Sequence, residues 1–169
     1  MRQISFPILK NYKPEFGGEL LLGKRKAKRP LSTTTPTHLI FRADELKVFL
    51  PGNMKQEKLL SQLAERFHIK IYQKSFNWTH LHLLVTLPSR EAYNSFVRLF
   101  TAGIVSLYEE RNGKNQKLFK LRPFTRVVSW GRDFKRVRNY HEKNNRESWG
   151  MTEEEMAFVK ASLSPPNPG

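Results

Sequence analysis

Cysteine is absent from the 169 residues. Disulfides and thiolate nucleophiles are therefore excluded, and any metal must be held by imidazole, carboxylate or amide donors. No apolar run approaches the length of about 18 residues that a membrane-spanning helix needs, and the N-terminus lacks the apolar core of a secretory signal. A cytoplasmic protein with no membrane partner is the expectation. Acidic residues are also scarce, 15 Asp and Glu against 30 Lys and Arg, for a net charge of +15 and a pI of about 10.3. Such an excess points first to nucleic acid, with a well-solvated surface or an anionic membrane face as the alternatives. What the chain does have is aromatic material, 12 Phe, 5 Tyr and 3 Trp, enough for one domain with a buried core.

The positive charge is concentrated in two places. Residues 1–35 carry eight Lys and Arg against two Glu, with Gly17-Gly18, Gly23 and the run Lys24-Arg25-Lys26-Ala27-Lys28-Arg29. This stretch reads as an extended basic arm, in which Lys24, Arg25, Lys26, Lys28 and Arg29 would grip phosphates without sequence preference. Residues 114–143 carry ten Lys and Arg against two acids, interleaved with apolar positions, as expected of a basic surface on ordered structure. Within it, Arg122 and Arg126 are candidates for phosphate contact.

Between these blocks the hydrophobic period alternates between that of strands and that of helices. Thr37–Arg42 reads as a strand, with a short extension through Leu46–Leu50. Asn53 is positioned to cap a helix, with Gln56 at the capping-box position and Leu59, Leu60, Leu63, Ala64 and Phe67 as its buried stripe. Ile69–Lys74 is a second strand and the run from Trp78 to Leu87 a third. Pro88-Ser89 opens a long helix bearing Tyr93, Phe96, Val97, Phe100 and Ile104, which the run Arg111–Asn115 breaks. Leu118–Trp130 is strand-like, with Pro123 marking an edge or an interruption. Helices are expected over 131–146 and 152–163. The order β-α-β-β-α-β is that of a ferredoxin-like α+β fold with additional C-terminal helices. The chain divides into an arm (1–35), a main domain (36–150) and a C-terminal helix with a Pro-rich tail (151–169).

The chemically telling feature lies in the third strand. In His80-Leu81-His82 the two imidazoles lie two residues apart, so they share a face, roughly 6.6 Å apart along the backbone. Leu81, Leu83, Val85 and Leu87 line the other face, which would meet the helices. Two such histidines can converge on one divalent ion, although a half-buried polar pair satisfies the same pattern. In the helix near 131–146, Phe134, Val137, Tyr140, His141 and Asn144 fall within one band of about 120°. Tyr140 and Asn144 are one turn apart, and docking on the open sheet face would bring them near the histidines. Tyr140 alone would read as a core tyrosine. Beside an ion held by two imidazoles and an amide oxygen, it is instead suited to attack a phosphodiester and store its energy as a phosphotyrosine. His38 could face the same sheet surface but is left out of the ligands, and His68 and His141 receive no role, although His141 could approach the site from the same helix. Phe76 and Trp78 are expected in the core, with stacking on unpaired bases as the alternative, and Ser32–Thr35 reads as a polar linker.

The same residues carry a family resemblance. His80-Leu81-His82 preceded by Phe76–Thr79, the run Leu121–Val128 and Asn139-Tyr140-His141-Glu142-Lys143-Asn144 resemble a single-tyrosine HUH transposase, the family that includes the REP-associated tyrosine transposases of bacteria. The resemblance spans roughly residues 18–150. It implies His80, His82 and Asn144 as ligands of Mg2+ or Mn2+, and Tyr140 as the nucleophile. It also implies a homodimer acting on single-stranded or hairpin DNA in a bacterial, nucleoid-associated setting. Thr79 departs from the family, in which Asn commonly precedes the first histidine.

Two other classes compete with this reading. One is a non-catalytic nucleic-acid-binding protein on the same fold. An RNA-reading sheet of this order would display stacking aromatics where His80 and His82 stand. The other is an HUH replication initiator or relaxase, which would carry accessory regions for which this chain has no room.

Overall fold

A computed structural model describes residues 15–21, 28–113, 117–148 and 150. Five strands form one sheet: β1 (Glu15–Phe16), β2 (Thr37–Arg42), β3 (Lys70–Asn77), β4 (His80–Thr86) and β5 (Phe124–Val127). Their spatial order is β1-β5-β2-β4-β3, with every neighbouring pair antiparallel. Helices α1 (Met54–Arg66) and α2 (Arg90–Asn112) make the crossovers, and α3 (Arg132–Ser148) follows β5. Leaving β1 aside, this is the β-α-β-β-α-β plan read from the hydrophobic pattern. Among the described residues no helix is long and apolar enough to cross a membrane.

The alternation in β4 decides which face meets which helices. Leu81, Leu83 and Val85 point to one side and form a fully buried cluster with Leu39, Phe41, Leu60 of α1 and Phe96, Phe100 and Ile104 of α2. Each such side chain contributes about 2 kcal/mol by leaving water. Both helices start where their caps predict: Asn53 Oδ1 accepts from Gln56 N at 3.1 Å, and Ser89 Oγ from Ala92 N at 3.1 Å. Gln56 does not close a capping box, however. Its amide turns outward, donating to Val48 O and accepting from Leu50 N, and so ties the preceding loop to α1. Gly113 ends α2 in the left-handed conformation, φ 65°.

The other face of the sheet is covered by α3. Phe134 and Val137 pack on Leu84, Val128 and Tyr72. Arg126 of β5 reaches both carboxylate oxygens of Asp133 at 3.0 and 3.2 Å, and Asp133 Oδ2 also accepts from Ser129 N. One acidic side chain in the first turn thus joins the helix start to the sheet.

Several expectations require correction. The described part of the basic arm belongs to the folded body. Glu15 and Phe16 pair with Arg126 and Thr125, a short turn follows at Gly18–Leu21, and Arg29 is buried. An apolar Phe16 and a Gly-Gly corner inside a basic run allow the edge strand to form. Lys24, Arg25 and Lys26, the helix expected over 152–163 and the Pro-rich tail lie outside the described residues. Leu46–Leu50 contributes a single bridge, Phe49 to Trp78, and no strand. Only Phe124–Val127 of the Leu118–Trp130 run is strand, because Pro123 cannot donate to a ladder.

Gly17 makes the corner between β1 and the turn, at φ 96°, where a Cβ would lie 2.1 Å from the Pro123 carbonyl oxygen. Neither the backbone nor the space admits a side chain there. Gly17→Ala is expected to cost roughly 2–3 kcal/mol, measured by urea denaturation, whereas Gly131→Ala, at a comparable φ but in open space, should cost clearly less.

Candidate active site

A two-residue connection, Trp78-Thr79, joins β3 to β4 and places His80 opposite Asn77 and His82 opposite Ser75. Trp78 occupies the left-handed region at φ 46° and is 44% exposed at the tip of the turn, whereas Phe76 is buried in the core. The rings of His80 and His82 stack with centroids 6.0 Å apart and planes 29° apart. Each has its Nδ1 engaged: that of His80 lies 2.7 Å from Thr79 Oγ1, and that of His82 lies 3.4 Å from His38 Nε2. Among the described residues both Nε2 atoms are left as the unengaged ring nitrogens. This pattern of a second partner behind each ring is the one that orients a ligating histidine. Thr79, the departure from the family pattern, itself supplies one of the two partners.

Both histidines line a cavity of about 490 Å³, bordered by Arg42 with its ion-pair partner Glu19 at 2.5 Å and by Arg122. Burial holds His80 below its usual pKa, with Arg42 adding to the effect, and brings His82 down to about 4, with His80 as the second cause. Near neutrality both rings are therefore uncharged and can donate a lone pair.

Tyr140 projects from α3 beside this pair. Its ring centroid is 5.8 Å from that of His82 and 6.3 Å from that of His38, both edge-on, and the side chain is 47% exposed. The next residue, His141, points inward and is fully buried, with its ring 4.9 Å from His38 and 5.9 Å from His82. Neither of its nitrogens has a hydrogen-bond partner among the described residues. Polar contacts fix the register of α3 on β3. Asn145 Nδ2 donates to Lys74 O at 3.0 Å, Gln73 Nε2 to Glu142 Oε1 at 3.3 Å, and the Asn77 amide nitrogen, turned toward α3, to the Asn144 carbonyl at 3.2 Å. Asn144 itself is half-buried one turn beyond Tyr140. Among the described residues no contact joins its amide to either imidazole.

The fold has a counterpart among solved structures. The structure of a REP-associated tyrosine transposase bound to a REP hairpin superposes with a TM-score of 0.61 over 86% of this chain and 92% of that one, at 13% identity. The chain has the fold of a REP-associated tyrosine transposase. A protein from Deinococcus radiodurans provisionally designated a transposase aligns over 72% of this chain and 98% of its own at 12% identity, with a TM-score of 0.45 that carries no argument. No family model matches the chain, and none of the curated proteins does.

Within this fold, the histidine strand and the tyrosine helix meet as the sequence expects, and two histidines join them that sequence reasoning left without a role. The signal for His38 was its parity with Ile40 and Arg42 on β2, which the register sets opposite His82 and His80. For His141 it was a position one residue, about 100° of turn, from Tyr140. The basic candidates separate. Arg122 is exposed at the cavity rim and Lys28 is exposed. Arg126 is committed to Asp133, and Arg29 is buried against Phe16, Thr125 and Tyr93. Arg126 is thus spent on the scaffold, and Arg29 is withdrawn from the open surface.

The donor set fits a divalent ion in part. Two neutral imidazoles with free Nε2 atoms flank one cavity. Among the described residues no third His, Asp or Glu completes a cluster able to hold an ion, so a third protein donor would have to be an amide, with water filling the remaining positions.

The buried His141 makes a testable contribution to stability. Burial, then His82, brings its pKa down to about 3. Between about 6.5 and about 3 the unfolded chain binds a proton that the folded chain does not, so folding stability falls as pH falls through that window. His141→Leu removes both unsatisfied nitrogens at similar volume. The variant is expected to gain about 1 kcal/mol at pH 7 and to lose less of its stability between pH 7 and pH 4 than the parent, as followed by thermal unfolding in EDTA.

Proposed function

We propose that this protein is a single-tyrosine HUH transposase, a DNA strand transferase that cuts and rejoins single-stranded DNA beside hairpins through a 5′-phosphotyrosine intermediate. The observation that carries the reading is the meeting, within one chain, of the exposed Tyr140 with the His80–His82 pair. A tyrosine on a solvent-facing helix edge, two neutral imidazoles and a cavity rim bearing Arg42 and Arg122 together support phosphodiester cleavage.

In this mechanism Tyr140 Oη attacks phosphorus in line with the 3′ oxygen. The new bond is Oη–P and the broken one is P–O3′. The phenol proton passes to the water that reaches the exposed ring, and the departing 3′ oxygen takes a proton from water. His80 and His82, with the Asn144 amide as third donor, would hold Mg2+ or Mn2+. The bound cation supplies Lewis-acid stabilisation of the charge that develops on the phosphate. Thr79 and His38 orient the two imidazoles. Arg42 and Arg122 at the cavity rim favour an anionic strand. Rejoining reverses the step, with a 3′ hydroxyl attacking the phosphotyrosine and Tyr140 leaving with a proton.

The test is a denaturing gel of the protein with Mn2+ and labelled single strands from both flanks of its own gene. A metal-dependent adduct that survives denaturation is expected with the parent and not with Tyr140→Phe. Tight binding with no adduct on any flank would favour a binding-only protein on the same fold.

The packing of α3 on β3 and β4 of its own chain supports the use of Tyr140 in its own subunit, even in a homodimer. Mixing Tyr140→Phe with His80→Ala/His82→Ala should therefore restore no adduct, and restoration would show use of the partner's tyrosine. Thr79→Val, which removes the partner of the His80 ring, is expected to weaken Mn2+ affinity by roughly 10-fold or more, measured by electron paramagnetic resonance of the free ion.

A further inference from the structure

A second cavity, of about 380 Å³, lies on the helix side of the sheet, away from the histidines. Its wall combines Phe16 of β1, the segment at Lys28-Arg29, Arg90, Tyr93 and Arg98 of α2, and Arg122 before β5. Five of its lining residues are cationic and none is acidic. Among the described residues none of the five forms an ion pair.

Arg29 is the centre of this arrangement. It is only 8% exposed, and its guanidinium lies between two rings, 4.6 Å from the centroid of Phe16 and 5.3 Å from that of Tyr93. Nη1 donates to Thr125 Oγ1 at 2.7 Å and to Phe16 O at 3.2 Å, whereas Nε and Nη2 have no hydrogen-bond partner among the described residues. Arg90 Nη2 donates to the Arg29 carbonyl at 2.7 Å, which fixes a second guanidinium beside the first. Burial lowers the Arg29 pKa; Tyr93 opposes that shift, and Arg122 and Arg90 add to it. A buried charge with like charges around it and no carboxylate is costly unless an anion joins it. The neutral partners and stacked rings hold the guanidinium in place without cancelling its charge, and its planar fork suits phosphate oxygens.

We propose that this cavity is a phosphate site that holds the backbone of the bound DNA strand at a point remote from the cleavage site. Arg122 lines both cavities, so a strand leaving the histidine side past β1 meets a cation that also lines the Arg29 cavity. The inference rests on the reading of the protein as a single-stranded DNA enzyme, but it concerns binding and not the chemistry of Tyr140. It also accounts for Gly17, whose missing side chain leaves room beside Arg29 Nη1, 3.1 Å from where a Cβ would stand.

Lys28→Gln/Arg98→Gln is the decisive variant. Both side chains are exposed, line the cavity and bond to nothing among the described residues, so the fold does not depend on them. In a Tyr140→Phe background with EDTA, fluorescence anisotropy measures affinity for a labelled single strand from a flank of the gene over a series of salt concentrations. The expected result is a loss of roughly 5- to 10-fold at physiological salt. The slope of log K against log salt should also fall by about 1.4, from about 0.7 for each phosphate contact on a single strand. Lys58→Gln/Arg66→Gln on α1 removes the same charge elsewhere and should leave the slope unchanged. Equal losses from both pairs would overturn the site in favour of general attraction. A melting temperature raised by inorganic phosphate in the parent but not in Lys28→Gln/Arg98→Gln, with DNA slopes unaltered, would reassign the cavity to a free anion and overturn the strand path. If the strand binds as inferred and yet no covalent adduct forms with Mn2+, the catalytic reading fails and the phosphate site stands.

Discussion

The seam between α3 and the sheet governs this molecule. On the opposite face, α1 and α2 bury leucines and phenylalanines in a way that many sequences could reproduce. The α3 seam is thin in comparison. Phe134 and Val137 supply its apolar contact, Arg126 and Asp133 lock its start, and Asn145, Gln73 and Asn77 hold its far half to β3. A helix with so few apolar anchors needs directional bonds to fix its rotation. That rotation decides whether Tyr140 lies beside His82 or in open solvent.

The seam also brings together groups that are unfavourable in the protein alone. His38, His82 and His141 lie within one buried cluster, each with its pKa brought well below the usual value by burial before any other cause. His38, brought down to about 2, stays uncharged at any pH at which the fold is expected to persist. Its Nε2 and the Nδ1 of His82 share one hydrogen across 3.4 Å, and His82 lines the cavity. Neutral imidazoles kept neutral by their surroundings are ready to bind a cation or steer a phosphate. Local conflict of this kind is tolerated where function requires it.

Positive charge follows a similar logic on the other side. The excess over acids is not spread as an even solvated coat. Arg126 serves the scaffold through Asp133, whereas Arg29 is buried with only neutral partners and no counter-ion among the described residues. The two arginines thus have opposite electrostatic situations, which follow from whether a carboxylate lies across the contact. The cavities on the two faces share Arg122 as a lining residue.

Much of this was legible in the residue order. The period-2 pattern of β4 fixed which face carries His80 and His82, because a strand has no freedom to turn one residue without turning the next. Caps at Asn53 and Ser89 and the stop at Gly113 set the helices, since those bonds form within a few residues of chain. Tyr140 and Asn144 shared a helix face for the same local reason. What lay between elements distant in sequence was not legible. The pairing of Phe16 with Thr125, the burial of Arg29, the capture of Arg126 by Asp133 and the entry of His38 and His141 into the site all depend on contacts across the fold. Local sequence determines which way a side chain leaves its own helix or strand. Only the docking of one element on another, where burial and the presence or absence of a counter-charge are decided, determines what that side chain meets.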